Sequence, residues 1–231
     1  MKPQLACFER LGAPGWAALA RVVVAARATG LLVIADGKRG DVPVSAAAYA
    51  QALLGSTATP WGDVEGLRAD AATVNGVLGA DSLEPLIDVA VERGAGLFVL
   101  VRTSNPGAAD LLDRDAGGAP LHERIAELVA ELGGRLAGAG RLSGLGAVVG
   151  ATEPDHIARL RELMPEAIFL LPGVGAQGGS AERLGAAFAH SIAGGVVTAS
   201  RSIAGADDPA AAAETLREQA WEAACRSRGA G

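Results

Sequence analysis

Leu31-Leu32-Val33-Ile34-Ala35, followed without a break by Asp36-Gly37-Lys38-Arg39-Gly40-Asp41, is an apolar run of strand length that ends in a dense cluster of charge. A continuous apolar run, rather than an alternating one, marks a strand buried on both faces, the pattern of a parallel sheet covered by helices. Working outward, the same sequence of short apolar run, turn residues and helical periodicity recurs at Ala71 to Val74, Leu97 to Val101, Ala147 to Val149, Ala167 to Leu171 and Val196 to Ala199. Helix signals fall between them. Pro14 to Thr29 is helix-like, Ser45 is placed to cap Ala46 to Leu54 before Gly55, and Ser82 opens a segment that ends at Gly94. Leu121 to Leu136 carries Ile125, Leu128, Val129 and Leu132 at helical spacing, and Asp208-Pro209 starts the last helix. Strands that alternate with helices define an α/β protein, and the expectation is a single (β/α)8 TIM-type barrel domain over residues 1–231. Six strand–helix units are too few to close eight strands, so the barrel is expected to be incomplete at its N-terminus.

Composition excludes several classes. Half of the 231 residues are hydrophobic, yet the longest apolar stretch, Ala17 to Ala35, is broken by Arg21 and Arg27. It falls short of the ~20 uninterrupted residues that a bilayer needs, so no membrane partner is expected. Met1-Lys2-Pro3-Gln4 has no apolar leader, which makes the cytoplasm the expected location. Twenty basic against 26 acidic residues give a net charge of -6 with no basic stripe, so nucleic acid is not an expected partner. Cys7 and Cys225 fit neither a disulfide framework nor a paired metal motif and are expected to be buried thiols. With aromatics at 3%, the core must be built from Ala, Val, Leu and Ile, which suits a barrel interior. Gly133 to Gly146 reads as a loose loop, and His122, His156 and His190 lie on helical patterns without ligand spacing, so no metal site is assigned.

The chemistry concentrates in four places. Asp36 and Lys38, two residues apart on an extended backbone, project to the same side at the mouth of the first strand, where barrels hold their active sites. Pro172-Gly173-Val174-Gly175-Ala176-Gln177-Gly178-Gly179 follows another strand and precedes a helix that Ser180 is placed to cap. Gly173, Gly175 and Gly178 allow backbone N–H groups to converge on a phosphate. The same glycines also match the spacing of a dinucleotide loop, with Arg201 near the position of a 2′-phosphate partner. Thr198-Ala199-Ser200-Arg201-Ser202-Ile203 follows the next strand, and paired loops of this kind form the recurrent phosphate site of barrels, with Arg201 as the fork. Arg102-Thr103-Ser104-Asn105-Pro106-Gly107 is a polar turn suited to a planar heterocycle.

With these motifs in this order, the chain resembles the orotidine 5′-monophosphate decarboxylase family, in particular its bacterial subgroup with an Asp-x-Lys-Arg-Gly-Asp signature. The resemblance runs from Lys2-Pro3-Gln4 through Asp36 to Asp41, Asp70 to Ser82, Thr103 to Pro106 and Pro172 to Gly179 to Ser200-Arg201-Ser202-Ile203. It implies loss of CO2 from orotidine 5′-monophosphate to give UMP, the last step of pyrimidine synthesis, with no cofactor and no metal. Carried over, Asp36 faces the substrate carboxylate, Lys38 stabilises and protonates the carbanion at C6, and Lys2 completes the charged row. Asp41 resembles the aspartate that reaches the partner's site in a homodimer, and Ser45 a neighbouring threonine there. Ser104 is implied to bind the pyrimidine, and Gln177, Arg201 and the amides of Gly173, Gly175 and Gly178 the phosphate. Departures from the family pattern are an opening strand and helix with no counterpart here, Gly37 where the subgroup has alanine, and Asn75-Gly76-Val77 where it has a Pro-Tyr pair.

Three rivals fit part of the same pattern. A magnesium-dependent sugar-phosphate decarboxylase such as 3-keto-L-gulonate 6-phosphate decarboxylase shares an Asp-x-Lys-x-x-Asp array, but Arg39-Gly40, Ser104-Asn105 and Gln177 favour the pyrimidine enzyme. A non-catalytic nucleotide-phosphate binder predicts UMP binding without turnover. A dinucleotide-dependent dehydrogenase predicts NADP binding and leaves Asp36 to Asp41 unexplained.

Overall fold

Leu31 and Leu32 lie exposed, and the strand that was expected to begin with them runs instead from Ile34 to Arg39 (β1), through the charged cluster. The computed structural model describes residues 1–138, 140–175 and 178–228. Contacts divide it into two units, Met1–Leu100 and Val101–Gly231.

The first unit opens with helices α1 (Leu5–Glu9) and α2 (Gly12–Ala28), then β1, α3 (Pro43–Leu53), a hairpin of β2 (Ser56–Thr57) and β3 (Val64–Glu65), β4 (Ala71–Val74), α4 (Ala80–Arg93) and β5 (Gly96–Arg102). β4 occupies the residues expected of it. β1, β4 and β5 pair in parallel, in that order. Leu5, Leu19, Leu53, Leu83, Leu86 and Ile87 are almost fully buried around them. Each such side chain contributes ~1.5–3 kcal/mol by leaving water. Pro43 with its fixed φ starts α3, so Ser45 lies inside the first turn and makes no cap hydrogen bond, contrary to expectation. α4 likewise starts before Ser82, whose hydroxyl donates to Gly79 O at 2.6 Å. It ends where Gly94 takes the left-handed conformation.

The pairing of β1 with β4 is irregular at the motif. Ile34 and Ala35 face Ala71 and Ala72, but the next matched pair is Arg39 with Val74. Asp36, Gly37 and Lys38 therefore oppose the single residue Thr73, a bulge that bends the strand and re-aims its side chains. On the other edge of β1, the amides of Ile34 and Asp36 donate to Met1 O (2.9 Å) and Pro3 O (3.1 Å), so residues 1–4 run parallel to it.

The second unit contains α5 (Leu121–Gly133), β6 (Ser143–Val149), α6 (Pro154–Leu163), β7 (Ala167–Pro172), β8 (Gly195–Thr198), the single turn α7 (Arg201–Ala204) and α8 (Pro209–Arg228). β6 pairs with β7 and β7 with β8, all in parallel. Asp208 caps α8 by accepting from the amides of Ala210 and Ala211, each at 3.0 Å. Three expectations are corrected here. The stretch after Gly133 is a 3-10 turn, Gly134–Leu136, followed by a strand that starts at Ser143, whose hydroxyl donates to Gly133 O at 2.7 Å. After Ser180 come two 3-10 turns, Ala181–Arg183 and Gly185–Phe188, instead of an α-helix. Cys7 and Cys225 are both exposed, each on the outer side of a terminal helix.

Strands alternating with helices and parallel main pairings make this an α/β protein. No described helix is long and apolar enough to cross a membrane.

Candidate active site

In the first unit the bulge gathers the charged row on Asp36, which is 5% exposed. Lys38 Nζ lies 2.5 Å from Asp36 Oδ1, and Lys2 Nζ donates to Oδ2. Lys2 arrives by pairing: the strand-like run 1–4 beside β1 delivers it to the same carboxylate. Two neutral donors complete the shell. Thr73 Oγ1 donates to Asp36 Oδ1 at 2.9 Å, and the Gln4 amide, in the orientation that satisfies its neighbours, donates to Oδ2 at 2.7 Å and to Asp36 O at 2.9 Å. Burial pushes the Asp36 carboxyl up, but the hydrogen bonds and charges of Lys2 and Lys38 outweigh it and hold it below the usual carboxylate range. Asp36 is therefore ionised at neutral pH, and the cluster carries one net positive charge.

Lys38 has a left-handed backbone with φ 51°, rare for a residue with a long side chain. It belongs to the bulge, so the side chain reaches Asp36 through a kink and not along a regular strand. Gly40 is required by a close approach, since a Cβ there would stand 2.5 Å from Asn75 O. Arg39 faces away, paired with Glu9 and lying over the Tyr49 ring. Asp41 does not join the cluster of its own chain; among the described residues its hydrogen bond is to the Val42 amide at 2.7 Å. Ser45 is half-buried on α3.

The second unit holds the other expected residues. Ser104 sits half-buried after β5, on a loop fixed from two sides. Gly150 packs so closely that a Cβ on it would lie 2.9 Å from Ser104 Cα, and its amide donates to Arg102 O at 2.7 Å. Arg102 in turn grips both oxygens of Asp113, at 2.8 and 3.0 Å, and donates to Thr103 O. Asp113 lies 3.2 Å from His122 Nδ1, which bonds Leu112 O at 2.7 Å, while His122 Nε2 meets His156 Nδ1 at 3.3 Å. Sequence spacing gave no sign of this cluster, because the two histidines sit on different helices. Its carboxylate is occupied by Arg102, whose guanidinium repels a cation, so the arrangement is a hydrogen-bonded brace.

Gly173, Gly175 and Gly178 all have positive φ, which only glycine adopts freely. The loop folds back on itself: Gly175 N donates to Gly179 O (2.9 Å), Gly178 N to Gly175 O (2.8 Å) and Gly179 N to Gly173 O (3.0 Å). The amides of Gly175 and Gly178 are thus engaged within the loop instead of converging on an anion. A Cβ on Gly175 would lie 3.2 Å from Ser202 Oγ, so the loop rests against the start of α7. Arg201 projects there exposed, without an ion pair among the described residues. Gln177 lies outside the described residues.

Comparison with known proteins adds the lineage. The family model described as "Orotidine 5'-phosphate decarboxylase / HUMPS family" matches residues 1–216. The chain belongs to this family. Because that description joins two names, the individual relatives carry the finer information. Over 230 residues the chain is 45% identical to the orotidine 5'-phosphate decarboxylase of Rhodopirellula baltica, covering 98% of this chain and 74% of that one. It is 47% identical over 204 residues to the enzyme of the same name from Deinococcus radiodurans, covering 88% and 70%. A solved structure of Leishmania donovani OMP decarboxylase matches 96% of this chain and 80% of its own, at 36% identity and a TM-score of 0.75. The likeness to a solved decarboxylase bears out the α/β reading of the decarboxylase family's fold.

Within the family frame, the residues that sequence reasoning missed are Thr73 and Gln4 in the first unit and Asp113, His122, His156 and Gly150 in the second. Gln4 and Thr73 fell within the stretches of resemblance and His122 and His156 were read as helical residues without a role, and none of the six belongs to a motif with a chemical signature of its own.

Proposed function

We propose that this chain decarboxylates orotidine 5′-monophosphate to UMP without metal or organic cofactor, acting as a cytoplasmic homodimer. The observation that carries the reading is the buried Asp36 carboxylate held between the ammonium groups of Lys2 and Lys38. A reaction that leaves an electron pair on carbon needs a cation prepared at that carbon, and this cluster keeps one in a half-buried site where it is worth more than in water.

In the proposed reaction the substrate carboxylate approaches Asp36, and like-charge repulsion there is relieved only when CO2 leaves. The C6–carboxylate bond breaks and its electron pair remains on C6. Lys38 stabilises that pair, then transfers a proton from Nζ to C6 and recovers one from water. Lys2 keeps Asp36 ionised when Lys38 turns toward the substrate. Ser104 hydrogen-bonds the pyrimidine, while Arg201 and Gln177 hold the phosphate. Gly173, Gly175 and Gly178 shape the loop around it, and the amides of Gly175 and Gly178 join only if their bonds within the loop open. Asp41 and Ser45 serve the partner's site, which agrees with Asp41 standing apart from the lysines of its own chain. The supporting relatives are enzymes of that name at 45% and 47% identity.

Lys38→Ala is the direct test. The expected result is UMP binding within about threefold of wild type and a turnover lower by at least about a thousandfold, since the proton donor and the cation are lost together. Retained turnover overturns the assignment.

A further inference from the structure

Asp36 accepts four hydrogen bonds, the full capacity of a carboxylate, and they are divided evenly: each oxygen takes one from an ammonium and one from a neutral side chain. Lys38 and Thr73 share Oδ1, and Lys2 and Gln4 share Oδ2. The neutral half of this shell, Thr73 and Gln4, lies within stretches of resemblance that assign neither residue a role.

Thr73 has a second bond. Its Oγ1 accepts from the Lys38 amide at 2.9 Å while donating to Asp36, and the residue is 1% exposed. It is also the one residue of β4 that faces the three-residue bulge, where ladder hydrogen bonds are missing. One hydroxyl thus fixes both ends of the Asp36-Gly37-Lys38 kink, and it holds Lys38 at a backbone angle that the residue does not favour by itself.

We infer that Thr73, assisted by Gln4, is a positioning residue that holds the Asp36 carboxylate and the Lys38 backbone still when the Lys38 ammonium leaves Asp36 for the substrate. The ammonium has to move between two partners during the cycle. A carboxylate held by lysines alone would follow it, whereas one held by two neutral donors stays in place and stays ionised. Thr73 and Gln4 touch Asp36 and need not touch the substrate. Their contribution therefore falls on the chemical step and not on binding, which rests on the phosphate and pyrimidine contacts. The inference depends on the proposed decarboxylase reading for its kinetic form, but the clamp itself is a statement about Asp36.

The test compares wild type with Thr73→Val, Thr73→Ser and Gln4→Ala in two measurements: steady-state decarboxylation of orotidine 5′-monophosphate and titration of the Asp36 carboxyl carbon by 13C NMR. Val keeps the shape of Thr and removes the hydroxyl; Gln4 is exposed, so its replacement does not endanger folding. The expected result for Thr73→Val is a kcat lower by about tenfold to a hundredfold, the loss of one hydrogen bond to a charged group, with KM within about threefold. Thr73→Ser restores most of it, Gln4→Ala shows a smaller loss of the same kind, and the Asp36 midpoint rises in Thr73→Val because a donor to the ionised form is gone. An active wild type with unchanged kcat in Thr73→Val, or a loss that Ser fails to restore, overturns the inference and leaves the decarboxylase reading standing. An inactive wild type sinks that reading, and the carboxyl titration then decides the clamp: a raised midpoint supports it and an unmoved one overturns it.

Discussion

Removing the Arg161 side chain should cost more stability than any other single change in the second unit. The residue is 3% exposed and faces no carboxylate among the described residues; its guanidinium donates to Met164 O (2.8 Å), Ala167 O (2.7 Å), Ala187 O (2.8 Å) and Gly194 O (2.9 Å). It also lies 3.8 Å over the Phe169 ring. These carbonyls belong to the end of α6, the start of β7 and the turns that lead into β8, so one side chain ties together the strands from which the glycine loop and the Arg201 turn emerge. Burial pulls its pKa down to about 10, which still leaves it charged at neutral pH. In Arg161→Met the stem volume is kept and the carbonyls lose their donor. At ~1–3 kcal/mol for each buried group left unpaired, less the relief of an unpaired buried charge and whatever water enters, the net loss is about 3–5 kcal/mol. Arg161→Lys, with a compact head that cannot span the same acceptors, should lose about half as much. Urea unfolding followed by circular dichroism measures both. A loss below about 1 kcal/mol for Arg161→Met would refute the reasoning, because it would mean that these carbonyls find equal partners without the guanidinium.

Three other outcomes are expected. His156 is pushed below its ordinary value by burial and by the nearby positive charges of His122 and Arg102, so the unfolded chain takes up its proton first as pH falls. The stability linked to this group is present above the unfolded value of 6.5 and is lost as pH drops through the lower folded value; Tm measured against pH shows that step, and His156→Gln removes it. Gly40→Ala places a Cβ against Asn75 O, which the backbone must move to avoid, and should lower stability by ~1–3 kcal/mol with a larger loss of activity, read by thermal melting and turnover together. Mixing inactive Lys38→Ala with inactive Asp41→Ala subunits should restore about a quarter of wild-type activity, because half the random dimers carry one site with both residues intact. No recovery in the mixture would remove Asp41 from the partner's site.

Strand positions were legible because apolar runs survive burial on both faces: Ala71 to Val74 is β4, and Ala167 to Leu171 lies one residue short of β7. Asp36 and Lys38 were legible as charge in an unusual place and Lys2 was implied only by the family resemblance, and the structure brings those three together. Their actual geometry was not legible. A bulge has no composition of its own, so β1 continues through residues that resemble a loop, and Thr73, the residue that compensates for it, resembles any other strand threonine. The cap expected of Ser45 fails because Pro43 two residues earlier is the stronger start. The helix expected after Ser180 fails because the chain turns twice as 3-10 before β8. The Asp113, His122 and His156 brace joins a loop to two helices, a contact that only tertiary packing creates. Arg161 was overlooked for a related reason, since an arginine on an amphipathic helix ordinarily faces water and nothing nearby in sequence marks it as buried.

In the proposed function the Lys2, Asp36 and Lys38 cluster drives loss of CO2 from orotidine 5′-monophosphate. The most direct measurement is the decrease of the orotate absorbance when the purified chain is mixed with that substrate in the presence of a metal chelator. Turnover that the chelator does not lower and that Lys38→Ala abolishes is the expected result; binding of UMP with no decrease in absorbance would overturn the decarboxylase assignment.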